Sequence, residues 1–177
     1  YGPCAFMDKY DENTVFSSID NLGRYSYKNQ PLICQWNLAQ LANCILPFLS
    51  DEKEKSIKIA QNEIDKYSEV YHNYFSKEIF KKLGFSCKIE DDNKLKDELF
   101  DIMKRDELDF TISFSNLYFE LLNIDNKLSE FTSKSRDFTK WVSKWKLRLK
   151  KEKKSVNQIA ENLKQSNPII IPRNHLV

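Results

Sequence analysis

The amino-acid sequence predicts a mainly α-helical protein with an irregular opening segment. Only three Gly and five Pro occur among the 177 residues. Four of them lie near the start of the chain, where they favour turns: Gly2, Pro3, Gly23 and Pro31. From there to Leu163, apolar residues recur at steps of three and four, which is typical of helices that pack on one face. We therefore expect an irregular segment at 1–30, a helical region at 31–166 and an extended tail at 167–177.

The first helix is predicted to start at Pro31, because Pro is favoured in the first turn of a helix, where its missing N–H costs nothing. Its apolar stripe contains six residues: Ile33, Trp36, Leu41, Cys44, Ile45 and Phe48. Such a stripe usually packs in a protein core. Two roles are open for the Trp36 side chain. We expect it to anchor this helix in the core, and stacking on a nucleotide base is the alternative.

A second, longer helix shows the clearest pattern. Asp51 is followed three residues later by Glu54, which is the spacing of a capping box. The next apolar and aromatic positions keep steps of three and four: Ile57, Ala60, Ile64, Tyr67, Tyr71 and Tyr74. Continued to Phe75, one helix would be about 37 Å long at 1.5 Å per residue and would span the domain. A shorter helix is then expected to end at Leu83, with Gly84 in the C′ position that favours Gly.

Four more apolar stripes predict the remaining helices. In chain order they consist of Leu95, Leu99, Ile102 and Met103; of Phe110, Phe114, Leu117 and Leu121; of Phe138, Trp141, Val142, Trp145 and Leu149; and of Val156, Ile159 and Leu163. We expect these stripes to form core and not a cofactor site. Residues 85–92 are predicted to be a loop, and the polar stretch 123–135 a connection. The tail carries three Ile between two Pro, and Pro is excluded from central strands.

Charge and composition argue against several classes of function. The 28 Lys and Arg nearly balance the 26 Asp and Glu, so the net charge of +2 creates no strong field for polyanions. The most basic stretch, KKEKK at 150–154, would end a helix, where cations are stabilised, and a phosphate-binding patch is the alternative. We therefore expect no nucleic-acid partner. No run approaches the roughly 18 apolar residues of a membrane span, so we expect no membrane partner either.

Cysteine and histidine give no sign of a metal site. The four Cys and two His include no C-x-x-C pair and no His with a ligand at i+4. Reduced thiols are the simplest interpretation of the scattered Cys4, Cys34, Cys44 and Cys87. The sequence thus predicts no metal ligands within this chain.

Function is expected in the opening segment, because loops positioned by a rigid scaffold often carry it. The chain starts with YGPCAFMDKY, in which Tyr-Gly-Pro favours a turn, and it has no initiator Met. We therefore expect it to be part of a longer protein. The acids of this segment show no paired spacing typical of a general acid and base, so solvated loop charges are the expected interpretation: Asp8, Asp11, Glu12 and Asp20.

Several short motifs occur in a distinctive order. Gly23-Arg24-Tyr25, Asn29-Gln30-Pro31 and Trp36-Asn37-Leu38 follow the opening Tyr-Gly-Pro. Further along lie DFTISFSNL at 109–117, the spacing W-x-x-x-W-x-x-R-L at 141–149, and NPIIIPRNHLV at 167–177. In this order the motifs resemble the selenoprotein O family, protein kinase-like enzymes described as protein adenylyltransferases. The resemblance covers essentially the whole chain.

The resemblance implies that this chain starts one residue after an Asp that corresponds to the Asp of the kinase D-F-G motif. That Asp would immediately precede Tyr1 and would hold Mg²⁺ or Mn²⁺ on the ATP phosphates. The N-terminal lobe, joined in cis, would supply the other catalytic and nucleotide-binding residues, so none is expected in this chain. Residues 1–30 would form an activation-type segment, and residues 31–166 the helical large-lobe part of a protein kinase-like (pseudokinase) fold.

Four residues are expected to position the loop near that site: Tyr1, Gly2, Pro3 and Arg24. The first three would let the chain turn directly after the metal-binding Asp, and an ordinary turn is the other interpretation. Arg24 is the only Arg in the first 100 residues. We expect its guanidinium to grip a carboxylate with both arms and so pin the loop. Contact with a nucleotide phosphate is the alternative for Arg24.

The resemblance also implies an activity for the complete parent. It would transfer AMP from ATP to Ser, Thr or Tyr hydroxyls of protein substrates, with ATP and Mg²⁺ or Mn²⁺ as cofactors. This chain alone is expected to be inactive. The alternative is a catalytically silent, kinase-like helical interaction module. A cytoplasmic location is expected if the source is bacterial, and a mitochondrial one is open if it is eukaryotic.

Overall fold

The computed structural model describes residues 5–173 and residue 176. Within this part of the chain the regular structure is helical, which confirms the predicted fold class as mainly α. The helices are α1 (Gln30–Ile45), α2 (Lys53–Asp65), α3 (Tyr67–Lys82), α4 (Asp92–Arg105), α5 (Phe110–Leu122), α6 (Ser129–Thr132), α7 (Arg136–Leu149) and α8 (Val156–Ser166). Short 3₁₀ turns, Tyr27–Asn29 and Leu46–Phe48, flank α1.

The chain divides into two compact units. The first unit comprises the described residues of 1–11 and 76–177, and the second unit is Glu12–Phe75. The boundary falls within α3, so the helical region expected at 31–166 is shared between the two units.

In the first unit, α5 packs against α6, α7 and α8, while α4 packs against α7. The fully buried large apolar side chains come mainly from the predicted stripes: Leu83, Leu99, Met103, Phe114, Leu117, Phe138, Trp141, Trp145 and Leu163. The helices predicted for the four C-terminal stripes are therefore confirmed. Gly84 has a φ of 77°, which confirms the predicted C′ glycine after α3.

The two Trp of the W-x-x-x-W-x-x-R-L motif join α7 to other elements of the first unit. Trp141 and Trp145 lie one helical turn apart on the same face of α7, with ring centroids separated by 6.3 Å. Their indole Nε1 atoms donate to the carbonyl oxygens of Leu95 and Leu83, each at 2.8 Å. Because both indoles are buried and hydrogen-bonded, this motif has a structural role.

The Arg of the same motif is the centre of a buried ion-pair network. Arg148 Nε and Nη2 bind the two carboxylate oxygens of Asp92 at 2.5 and 2.9 Å. Its Nη1 binds Glu152 at 2.8 Å, and Nη2 also donates to the carbonyl of Cys87 at 2.7 Å. The guanidinium lies 4.3 Å from the ring centroid of Phe85. Arg148 thus fixes the loop between α3 and α4.

The long helix predicted up to Phe75 is wrong, because the structure contains two helices separated at Lys66. At this break the Nε2 of Gln35, from α1, donates to the carbonyl of Ile64 at 3.2 Å. A donor from another helix therefore serves a carbonyl at the end of α2, as helix ends require. This contact is tertiary, so the periodicity of residues 51–75 could not show it.

The capping box predicted at Asp51 and Glu54 is also wrong. The N-cap of α2 is Glu52, and its side chain makes no capping hydrogen bond. Ser50 serves this end of the helix instead: its hydroxyl accepts from the backbone N–H of Glu52 at 3.2 Å, and its carbonyl accepts from the Ser56 hydroxyl at 3.1 Å.

Helix α1 is uncharged and has no buried residue. The expectation that Trp36 anchors it in the core is wrong, since the side chain is 50% exposed. Leu41 and Phe48 of the same predicted stripe are also exposed. Within the second unit, α1 packs against α2 and against the two 3₁₀ turns, and these neighbours cover only part of its surface.

Candidate functional site

Residues 8–10 of the opening segment are anchored on the start of α5, within the first unit. The backbone N–H of Tyr10 donates to the carbonyl of Leu108 at 2.9 Å, and that of Phe110 donates to the carbonyl of Asp8 at 2.7 Å. The Tyr10 ring is buried, with its centroid 5.0 Å from that of Phe100. Backbone pairing and ring packing thus hold residues 8–10 in place.

An arginine from the tail joins this segment to α5. Arg173 Nη1 contacts the carboxylates of both Asp8 and Asp109, the latter at 2.6 Å. The other carboxylate oxygen of Asp109 accepts from the backbone N–H of Ile112 at 2.7 Å and caps α5. The hydrogen bond to Asp109 outweighs the effect of burial and raises the pKa of Arg173 above its usual value. We call Arg173, Asp8 and Asp109 the arginine clamp.

The clamp brings the opening segment together with two of the sequence motifs. Asp8 belongs to the opening segment, Asp109 starts DFTISFSNL, and Arg173 lies in NPIIIPRNHLV. Sequence reasoning missed this cluster and treated Asp8 as a solvated charge. Asp109 was detectable as an N-cap, because Asp directly precedes the apolar stripe of α5. The pairing of Asp8 with Arg173 left no local signal.

A cavity of about 660 Å³ borders the clamp. The charged residues in its walls have both signs: Lys9, Lys134, Arg173, Asp106, Glu107 and Asp109. Lys9 pairs with Glu107 at 2.6 Å, and both side chains are exposed. Because three cations and three anions line the cavity, it offers no excess positive charge for a phosphate.

The second unit contains the loop with the motifs Gly-Arg-Tyr and Asn-Gln-Pro. Gly23 has a φ of 64°, which only Gly adopts readily. The two carboxylate oxygens of Asp20 accept from the backbone N–H groups of Arg24 and Tyr25 at 2.9 and 2.8 Å. Asn29 Nδ2 donates to the carbonyl of Gly23 at 2.9 Å. The two motifs therefore form one closed loop, and Asp20 closes it, whereas the sequence suggested a solvated charge.

The guanidinium of Arg24 lies over two aromatic rings. The Cζ atom lies 4.9 Å from the ring centroid of Trp36 and 5.7 Å from that of Tyr25. Among the residues that the structure describes, Arg24 has no carboxylate partner, so the expected two-armed grip is not formed there. A cation above an aromatic face is nevertheless a real attraction. Arg24 thus connects the loop to α1, and its role near a catalytic site stays a prediction.

The remaining predicted site residues, Tyr1, Gly2 and Pro3, lie outside the described residues. Across 5–173 and 176, no group of three or more His, Cys, Asp or Glu is arranged to hold a metal ion. The described residues therefore offer no such group for Mg²⁺ or Mn²⁺, the metal ions that the resemblance implies. In the same part of the chain, no helix combines the length and the apolar character needed to cross a membrane.

The helices of the first unit and the clamp define a helical scaffold that anchors residues 8–10 of an irregular opening segment. The family described as protein adenylyltransferase SelO matches residues 1–177, and the chain belongs to this family. The resemblance seen in the sequence is thus confirmed.

Relatives share this similarity over the full length of the chain. Proteins named protein nucleotidyltransferase YdiU are 45% identical in Clostridium beijerinckii, 46% in Clostridium botulinum (strain Alaska E43) and 44% in Bacillus thuringiensis subsp. konkukian. Each match covers 100% of this chain and 35% of the relative. The chain therefore spans about a third of the length of these curated relatives.

Proposed function

We propose that this chain is part of a protein adenylyltransferase, which transfers AMP from ATP to Ser, Thr or Tyr hydroxyls of other proteins. The observation that carries the proposal is the family match over residues 1–177. The relatives' name, protein nucleotidyltransferase, supports it. In this proposal residues 1–30 are an activation-type segment, and the helices belong to the large lobe of a protein kinase-like fold.

The reaction breaks one bond and forms another. The acceptor hydroxyl oxygen attacks the α-phosphorus of ATP, the bond from that phosphorus to the bridging oxygen of pyrophosphate breaks, and the hydroxyl proton passes to a base. A divalent metal ion would neutralise charge on the phosphates. Such chemistry depends mainly on placement and on charge stabilisation. The described residues contribute placement, because they hold residues 8–10 on α5 and close the loop around Gly23.

Partners and location follow from the same proposal. The partners are ATP and protein substrates, together with the N-terminal lobe of the parent, and the balanced charge of the chain gives no support for nucleic acid. The relatives named above are bacterial, which favours the cytoplasm over the mitochondrion. This chain alone is expected to transfer no AMP, because the resemblance assigns the catalytic and nucleotide-binding residues to the N-terminal lobe.

The position of the label in ATP tests the reaction. The complete parent is incubated with candidate protein substrates and with ATP labelled at either the α or the γ phosphorus. Incorporation from the α position alone is the expected result. Incorporation from the γ position alone would mean kinase activity and contradict the proposal. Label from neither position would favour the catalytically silent module.

Arg24→Lys in the complete parent should lower kcat/KM about two- to fivefold without changing the fold. An ammonium lacks the planar face that lies over Trp36, and such contacts contribute about 0.5–1 kcal/mol at exposed sites. Trp36→Leu should have a similar effect, and combining the two changes should add little. Arg105→Lys, at an exposed ion pair on α4, is the control. If Arg24→Lys and Trp36→Leu were both as active as the wild type, the contact between Arg24 and Trp36 would have no role in activity.

A further inference from the structure

The arginine clamp joins residues that are far apart in the sequence. Arg173 is 165 positions from Asp8 and 64 from Asp109. A single nitrogen atom, Nη1, serves both carboxylates. The guanidinium is mostly buried, with 19% of its side chain exposed. Charge-assisted hydrogen bonds in such partly buried positions are stronger than neutral ones.

The clamp also makes the approach of two acids favourable. Residues 8–10 pair with the backbone at 108–110, which places Asp8 and Asp109 close to the same cation. Two carboxylates that share a site repel each other when both are ionised. The positive charge of Arg173 offsets this repulsion, so the tail residue supports the position of the opening segment.

We propose that Arg173 is a positioning residue of the transferase, which holds residues 8–10 of the opening segment on α5 through Asp8 and Asp109. This inference rests on the proposed function, because the segment follows the Asp that would bind the metal. Without the clamp the segment would sample more conformations, and a smaller fraction of molecules would be competent for transfer. Metal binding would weaken together with turnover.

The exposed pair between Lys9 and Glu107 provides a matched control. It joins the same two segments at 2.6 Å, but both of its side chains are largely in water. Exposed pairs of this kind contribute little. Lys9→Gln should therefore leave turnover and metal dependence close to those of the parent, whereas Arg173→Gln should not.

The test uses the complete parent with Arg173→Gln, Arg173→Lys, Asp8→Asn and the double variant Arg173→Gln/Asp8→Asn. We expect Arg173→Gln to lower kcat about tenfold and to raise the metal concentration needed for half-maximal activity. Arg173→Lys should restore part of the activity. The double variant should be no worse than Arg173→Gln, because both changes remove the same contact. Wild-type kcat and metal dependence in Arg173→Gln would overturn the proposal, as would lower kcat with unchanged metal dependence.

Hydrogen exchange supplies a readout that does not depend on activity. The backbone amides of Tyr10 and Phe110 form the hydrogen bonds that hold the segment, and both should exchange at least several-fold faster in Arg173→Gln. If neither amide exchanged faster in Arg173→Gln, the proposal that Arg173 anchors residues 8–10 would be contradicted, whatever the activity of the variant. If the wild-type parent incorporates no label from α-labelled ATP, the proposed function fails, while faster exchange in the variant still supports anchoring by Arg173.

Discussion

Arg148→Met is expected to destabilise the first unit by about 3–5 kcal/mol, because it leaves the buried carboxylates of Asp92 and Glu152 without their cation. The Arg148 side chain is only 7% exposed, and Asp92 is fully buried. Arg148→Lys should recover part of the loss, since it keeps the charge but cannot contact both acids and the Cys87 carbonyl in one plane. Urea unfolding of the complete protein, followed by tryptophan fluorescence, would measure the change.

Arg105→Met is the matched control for this substitution. Arg105 also contacts two carboxylates, those of Asp106 and Asp137, but its side chain is 57% exposed. Water solvates the partners once Arg105 is removed, so little change in stability is expected. Equal losses for Arg148→Met and Arg105→Met would contradict the view that burial makes the Arg148 network important.

The Arg148 network should also make stability depend on pH. Burial acts to raise the pKa of Glu152, but hydrogen bonds from Ser86 and Arg148 outweigh it and hold the pKa below its ordinary value of 4.5. A group with a lowered folded-state pKa stabilises above its unfolded pKa and loses that contribution as pH falls through the folded value. The stability difference between wild type and Arg148→Met should therefore narrow below pH 4.5.

Trp145→Ala is expected to lower the free energy of unfolding by a similar amount, about 3–5 kcal/mol, because it opens a cavity in the core of the first unit. The Trp145 side chain is fully buried, and its Nε1 donates to the Leu83 carbonyl at 2.8 Å. Trp145→Phe should cost less, since it keeps most of the ring volume but leaves that carbonyl without the indole donor. Thermal and urea unfolding would rank the two variants.

Leu147→Ala controls for the helix itself. Leu147 lies two residues further along α7 and is 61% exposed, so its truncation removes few packing contacts. Leu147→Ala should therefore leave the free energy of unfolding almost unchanged, as is usual for substitutions at exposed positions. If Leu147→Ala lowered the free energy of unfolding as much as Trp145→Ala, substitutions on both faces of α7 would be destabilising, and burial of Trp145 would not explain its effect.

Periodicity predicted the helices whose stability comes from one buried face. Most residues of the stripes of α4, α5, α7 and α8 are buried in the structure, as amphipathic patterns indicate, although Val156 of α8 is exposed. The same reasoning failed where tertiary contacts determine where a helix ends or which of its faces is covered. Gln35 reaches the carbonyl at the end of α2, and α1 keeps its apolar stripe exposed. Neither feature is encoded in the spacing of apolar residues.

The polar contacts were harder to predict than the helices. Glu152 lies in KKEKK, which suggested a solvated helix end, yet its side chain accepts from the backbone of Ser86 at 3.1 Å and from Arg148. Asp8 and Arg173 meet only after the chain has folded. Local patterns report neighbours within a few positions, so long-range ion pairs of this kind require the structure.

The distance in sequence between Asp8 and Arg173 has a consequence for protein synthesis. The two residues are 165 positions apart, and ribosomes add roughly 5–20 residues per second, so Arg173 is made roughly 8–33 s after Asp8. Throughout that interval the nascent opening segment lacks the cation that later joins it to α5. A translation product that stops before Arg173 would carry the segment without its clamp, and full anchoring therefore becomes possible only after Arg173 has been made.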